Sequence, residues 1–194
     1  MKKLNFKQRL ALFVNKHSLL LVIALLSFGV IARLAPHAPN FAPIGAIALF
    51  GGLYLPRRVA LFAPILAMLV SDYLIGFYSP LVMASTYVSF TIIGLLGLTV
   101  RRNKNFANVA GATMLGSVIF FLVTNAAVWK FGSFYPADIS GLMASYINAI
   151  RFFRNTFLSD ALYVGVLAGS YEFVTSWASR ELSLGLNTFE PVKS

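Results

Sequence analysis

The chain has 194 residues, of which 58% are hydrophobic and 11% charged, with a net charge of +10 and a mean hydropathy of +0.77. A soluble domain carries about 25% charged residues, so a water-facing globular surface is excluded; continuous rather than alternating apolar runs exclude a β-barrel. The absence of cysteine excludes disulfides, thiolate nucleophiles and Cys metal sites, and basic residues gathered at the ends of apolar runs point to helix orientation rather than nucleic-acid binding.

Residues 1–17 place Lys2, Lys3, Lys7, Arg9 and Lys16 among Leu4, Phe6, Leu10, Phe13 and Val14 at helical spacing. This predicts an amphipathic helix on an anionic leaflet. The following apolar run has no A-x-A site before Arg33, so an uncleaved first span is expected over 18–34. Pro36 to Asn40 is a polar kink. Phe41–Leu55 is a second span, short for a core of about 30 Å, and residues 36–52 read as a re-entrant or short crossing segment walling a polar cavity. Span 3 covers 59–78, kinked at Pro64 and carrying Asp72. Span 4 covers 81–100 and stops at Arg101, Arg102 and Lys104. Span 5 is the uncharged run 106–129. A polar loop over 130–141 leads to a short amphipathic helix at 142–154, and span 6 covers 156–178.

Six crossings put both termini on one side. With the N-terminus inside, 12 basic residues face inward and Arg33, Lys130, Arg151 and Arg154 face outward, 12 + 4 making the 16 present. The positive-inside rule therefore predicts a multi-pass membrane protein with both termini cytoplasmic. The organisation expected is a cytoplasmic amphipathic segment (1–17), a six-helix transmembrane bundle (18–179) and a cytoplasmic tail (180–194). Small residues recur at four-residue spacing, as in Ala42/Ala46, Ala63/Ala67, Ala107/Gly111, Ala112/Gly116 and Gly165/Gly169, a spacing that lets helices approach closely.

The same topology sends both charge signs, amides and aromatics to the outer half, the composition of a ligand pocket in apolar walls. Asp72, about two turns from the outer end of span 3, demands a partner: it forms a bridge to Arg33 or Arg151, or it contacts a ligand. Asn125, flanked by Thr124 and Trp129, faces protein or ligand rather than lipid. Asn148, Arg151 and Asn155 share one face of the short helix; that face either caps the cavity, bringing Asn148 and Arg151 into the substrate-binding set, or its arginine meets lipid phosphates. Asp160 would pair with Arg154 or with the partner of Asp72. Glu172, in the inner half of span 6, pairs with an inner arginine, snorkels, or serves as a lone proton site.

No HExxH, G-x-S-x-G or Walker lysine motif is present, and His17 and His37 fall on opposite sides, so neither an enzyme nor a metal or cofactor site is expected. Without a nucleotide motif, active transport requires an ion gradient or a separate motor.

The segments Asn40–Gly52 (NFAPIGAIALFGG), Pro64–Gly76 (PILAMLVSDYLIG), Phe120–Trp129 (FFLVTNAAVW) and Tyr135–Phe153 resemble a family of small bacterial integral membrane proteins described as candidate transport proteins of unknown function. That family in turn looks related to the substrate-binding S components of energy-coupling-factor (ECF) vitamin transporters. Those six-helix proteins bind a vitamin at the outer face and deliver it with a transmembrane coupling protein and two ATPases. The resemblance implies that Asn40, Phe41, Pro43, Asp72, Asn125, Trp129 and Tyr135 lie near the binding site. It makes Ala42/Ala46 or Ala63/Ala67 candidate docking faces for a coupling partner. The alanine pair that S components carry early in their first span has no counterpart at that spacing, where Ala24, Gly29 and Ala32 stand instead. The function expected is a transport subunit that binds a small solute, such as a vitamin or precursor, from the outer face. A stand-alone secondary carrier and a non-transport membrane scaffold are the alternatives.

Overall fold

A computed structural model describes the backbone of residues 6–187 and the side chains of residues 20–180. Every regular element in it is helical: α1 Phe6–Leu34, α2 Ile44–Tyr54, α3 Arg57–Ile75, α4 Pro80–Val100, α5 Phe106–Phe131 and α6 Ile139–Asn187.

The breaks fall where the chain cannot continue a helix. Pro56 precedes the first residue of α3, and Pro80 occupies the first turn of α4, where a missing N–H is harmless. Gly76 ends α3 at φ 116°, its N–H donating to Asp72 O, a conformation open to glycine without strain. The Asn105 side chain caps α5 by accepting from Asn108 N at 2.8 Å. Asp138 does the same for α6, accepting from Gly141 N at 2.8 Å and from Ser140 Oγ at 2.7 Å. Those two donors, the Gly141 amide first, hold its exposed carboxyl below the usual carboxylate range.

α2 is the hub. It packs against α3, α4, α5 and α6, and every residue from Ile44 to Leu53 is buried. The crossing with α4 is a backbone-to-backbone contact: a Cβ on Gly52 would stand 2.6 Å from Gly97 Cα, and one on Gly97 would stand 2.8 Å from Gly52 Cα. Glycine is required on both sides of that crossing. Ile44, Ile47, Leu49, Phe50 and Leu53 form the core with Ala67, Met68, Phe90 and Ile93.

Outward, the bundle is greasy. Phe62 is 61% exposed, Tyr73 75% and Phe173 73%, whereas Ser71, Ser89 and Ser117 are completely buried. Large apolar groups outside and small polar groups inside are the arrangement of a protein solvated by lipid. α3, α4 and α5 are long and apolar enough to cross a membrane, which is what a membrane protein presents.

Of the six spans expected, three, α3, α4 and α5, are long and apolar enough to cross a membrane among the described residues. α2 has 11 residues, about 16 Å of rise against a core of about 30 Å. Within the residues whose side chains are described, α1 contributes the apolar stretch Leu20–Leu34. The separate outer amphipathic helix expected at 142–154 does not exist: it is continuous with span 6 in the 49-residue α6. The charge change at Arg154 suggested a boundary, but no proline or glycine lies between Arg151 and Tyr163. The Thr156 hydroxyl bonds Phe152 O one turn back, and the ladder continues. α1 likewise runs unbroken through the boundary expected at residue 17; residues 1–5, the side chains up to residue 19 and the last residues of the tail lie outside the described residues.

Candidate functional site

The loop between α1 and α2 holds the entrance. Asn40 adopts φ 59°, a left-handed conformation that asparagine tolerates better than most residues, and the Phe41 N–H closes the turn onto Ala38 O at 2.9 Å. α6 fastens this loop from the side: Asn155 Nδ2 donates to Pro39 O at 3.0 Å, and Ser159 Oγ donates to Ala42 O at 3.1 Å.

Beside the loop lies an ion pair. Arg33 Nη1 stands 2.7 Å from Asp72 Oδ1 and donates to Ser71 Oγ at 2.6 Å. Tyr87 OH donates to the other carboxylate oxygen, Asp72 Oδ2, at 2.7 Å. Asp72 is 1% exposed, so its charge is sustained by this set of partners rather than by water. Arg33, and not Arg151, is the residue that bridges it.

Arg33 also lines a cavity of about 250 Å³, together with His37, Asn40, Thr86, Phe90, Phe120, Thr156 and Asp160. A second hollow of about 200 Å³ shares Asn40, Thr86, Phe120 and Thr156 with the first and extends to Thr124 and Asn125. Phe90 and Phe120 stack at 5.1 Å between centroids and form an aromatic wall common to α4 and α5.

Of the residues singled out from the sequence, Asn40 and Asn125 line these hollows, and Asp72 meets the first through Arg33. Phe41 lies at the loop's edge, its ring 6.0 Å from that of Tyr163. The remaining four belong to a neighbouring structure. Trp129 Nε1 donates to Pro136 O and Asp138 O, at 2.9 and 3.1 Å, clamping the loop between α5 and α6. Asn148 Nδ2 reaches Tyr135 OH at 3.5 Å, and the Arg151 guanidinium lies over the Phe152 ring at 5.3 Å. None of these four lines either hollow.

Asp160 does not pair with Arg154 or Arg33. It is 5% exposed, accepts from Ser117 Oγ at 2.7 Å and takes the backbone N–H of Ala46. Its carboxylate thus caps the first turn of α2, where the unpaired amides and the helix dipole favour negative charge. At the other end of α2, Arg101 Nε donates to Gly52 O at 2.8 Å, and its Nη2 reaches Gly51 O at 3.3 Å and Leu55 O. Glu172 pairs with Lys104, rather than with an arginine, at 3.4 Å.

Tyr87, Ser71, Thr86, Thr156 and Ser117 were not singled out from the sequence. The pair Ser71-Asp72 inside an apolar run carried a signal for the contacts of the carboxylate; a hydroxyl on a helix otherwise carries none until its neighbours are known. Of the small-residue faces expected as docking surfaces, Ala46, Ala63 and Ala67 are at most 3% exposed and pack within the bundle, while Ala42 is half-buried and lines the first cavity. On α6, by contrast, a Cβ added at Gly165 or Gly169 would meet nothing within 4 Å.

A family model described as a family of unknown function (DUF6580) matches residues 13–182. It spans most of the chain, and the protein belongs to that family. No curated protein matches, and no solved structure matches.

Proposed function

We propose that this DUF6580 protein is a multi-pass protein of the bacterial cytoplasmic membrane that binds a small solute, such as a vitamin or precursor, from the outer face as the substrate-binding subunit of a transporter. The reading resembles that of an ECF S component, with six membrane-entering helices, both termini cytoplasmic and a separate coupling protein with ATPases supplying the energy. The observation that carries it is the Arg33–Asp72–Tyr87 cluster beside a cavity of about 250 Å³, under a loop that α6 holds by two hydrogen bonds. Intramembrane ionisable groups mark ligand or ion pathways more often than not, and a concave, largely apolar hollow with a few convergent polar groups is the usual form of a small-molecule site. The distribution of basic residues, 12 inner against 4 outer, supports the orientation.

The test is a thermal-shift screen of the purified protein against vitamins and nucleobases, since a ligand bound only by the native state raises its stability. A stabilising compound whose effect is lost in Asp72→Asn and Asn125→Ala, with both variants still folded, is the expected result. Normal binding by both variants removes these residues from the site. A screen without any stabiliser moves weight to a membrane scaffold. One observation favours that second reading: among the described residues, every buried side-chain nitrogen or oxygen already has a hydrogen-bond partner. In a stand-alone carrier the inner half would need polar groups for release, and the carboxylate there, Glu172, is paired with Lys104.

A further inference from the structure

The charges around the cavity lined by Arg33 do not cancel. Arg33 and Asp72 neutralise one another at 2.7 Å. Asp160 lines the same cavity, and among the described residues no lysine, arginine or histidine nitrogen comes within 4.0 Å of it. Its partners are a hydroxyl, Ser117, and an amide, Ala46. The start of α2 contributes about half a positive charge, so among the described residues the buried carboxyl has no cationic side-chain partner, and an incoming cation would supply the countercharge that its ionised form needs. Resting on the solute-binding reading above, we infer that the cavity takes an organic cation, a protonated or quaternary amine, whose positive nitrogen is seated against Asp160 and the Phe90–Phe120 wall.

Three features of the cavity fit that class of ligand. The faces of stacked Phe90 and Phe120 carry negative quadrupole density, which attracts an ammonium group. The other polar groups lining the cavity include Asn40, Thr86 and Thr156, which offer oxygen acceptors to N–H or N–CH groups. An anion is poorly served. The one arginine lining the cavity is held by Asp72, and an incoming carboxylate would meet the unpaired Asp160 carboxyl in a low-dielectric surround, where like charges repel strongly. His37 and Tyr78 are the remaining ionisable groups in the lining. The His37 imidazole sits on its own chain, Nδ1 2.8 Å from Ala38 O.

A purely structural Asp160 would cap α2 and do nothing else, and the two roles separate experimentally. Asp160→Asn keeps a carbonyl oxygen for the Ala46 amide and removes the charge. The probes are benzylammonium, benzyl alcohol and benzoate, which share one ring and differ in charge, each titrated into purified wild type and Asp160→Asn while the unfolding temperature is read. The expected result is that benzylammonium stabilises the wild type at about tenfold lower concentration than benzyl alcohol, that benzoate does not stabilise it, and that the preference disappears in Asp160→Asn. Equal stabilisation by the alcohol or by benzoate overturns the inference and leaves the solute-binding reading standing. A wild type that responds to none of the three also overturns it, while the vitamin and nucleobase screen still decides the broader reading. Should Asp160→Asn fail to fold, Gly45→Ala replaces it. The added Cβ would collide with Asp160 Oδ1 and stand 3.0 Å from its Cγ, so the carboxylate is pushed aside with its charge intact. Weakened benzylammonium binding in that variant supports the seat at Asp160, and unchanged binding overturns it.

Discussion

Asp160 and Arg101 hold opposite ends of the same 11-residue helix. The carboxylate takes an amide of the first turn of α2, and the guanidinium takes three carbonyls of its last turn. Each charge matches the sign that the macrodipole favours at its end. α2 is buried from Ile44 to Leu53, so its terminal polar groups must be met by protein, and each buried group left unmet costs about 1–3 kcal/mol. The two side chains meet that requirement from α6 and from the end of α4.

Arg101→Met therefore strands the carbonyls of Gly52 and Leu55, while Gly51 O keeps the Leu55 N–H. The expected loss is about 2–3 kcal/mol, the range for hydrogen bonds to a charged donor, read as a lower unfolding temperature in detergent. Arg101→Lys should recover only part of it, because an ammonium lacks the planar fork. Equal stability of all three proteins would show that Arg101 serves membrane orientation alone.

The Arg33–Asp72 pair should show the asymmetry of buried ion pairs. Asp72→Leu leaves the guanidinium without its countercharge and is expected to cost about 3–5 kcal/mol, whereas Arg33→Met with Asp72→Leu should be close to wild type in stability. A double-mutant cycle on unfolding free energies measures the coupling, and additive losses would exclude it.

At the α2–α4 crossing, Gly97→Ala pushes a methyl into the backbone of Gly52 and is expected to cost about 1–3 kcal/mol, with Gly97→Val failing to give folded protein. Gly165→Ala is the control. Its Cβ meets nothing within 4 Å, and alanine is the better helix former by up to about 1 kcal/mol, so stability should hold or rise. Comparable damage at both positions would contradict the close approach.

Asn155→Ala combined with Ser159→Ala releases the loop from α6. Amide exchange over residues 37–42 is expected to accelerate while the helices of the bundle keep their protection. Unchanged exchange in the loop would mean that its own turn, Phe41 N to Ala38 O at 2.9 Å, suffices to hold it.

The chain contains no cysteine, so single cysteines report sidedness without background. His37→Cys should react with an impermeant maleimide in whole cells, and Asn103→Cys only after the cells are opened. The reverse pattern would invert the topology.

Much of the fold is legible in the sequence because lipid leaves few options. The helices break at Pro56, Gly76 and Pro80, close to where the apolar runs end, and Asp72 finds Arg33 because an intramembrane carboxylate must find a cation at its own depth. What escaped depends on distant neighbours. Arg101 reads as one more inner basic residue until α2 ends beside it, 46 residues earlier in the chain at Leu55. Asp160 reads as the partner of an arginine until the first turn of α2 arrives. The continuity of α6 was hidden by its charges: Arg151 and Arg154 mark a change of solvent, and a helix passes through such a change without interruption.

That continuity has a mechanical result. A rod of 49 residues is about 73 Å long, and a pivot of about 5° near its middle swings its ends about 3 Å in opposite directions. The N-terminal half of α6 carries the side chains that hold the α1–α2 loop, and its C-terminal half carries Glu172, bound to Lys104 after α4. Between Ser159 and Glu172 the helix is interrupted by no proline, and Gly165 and Gly169 are the positions where it would bend, so a displacement of the α1–α2 loop reaches Glu172 only to the extent that these two glycines stay straight.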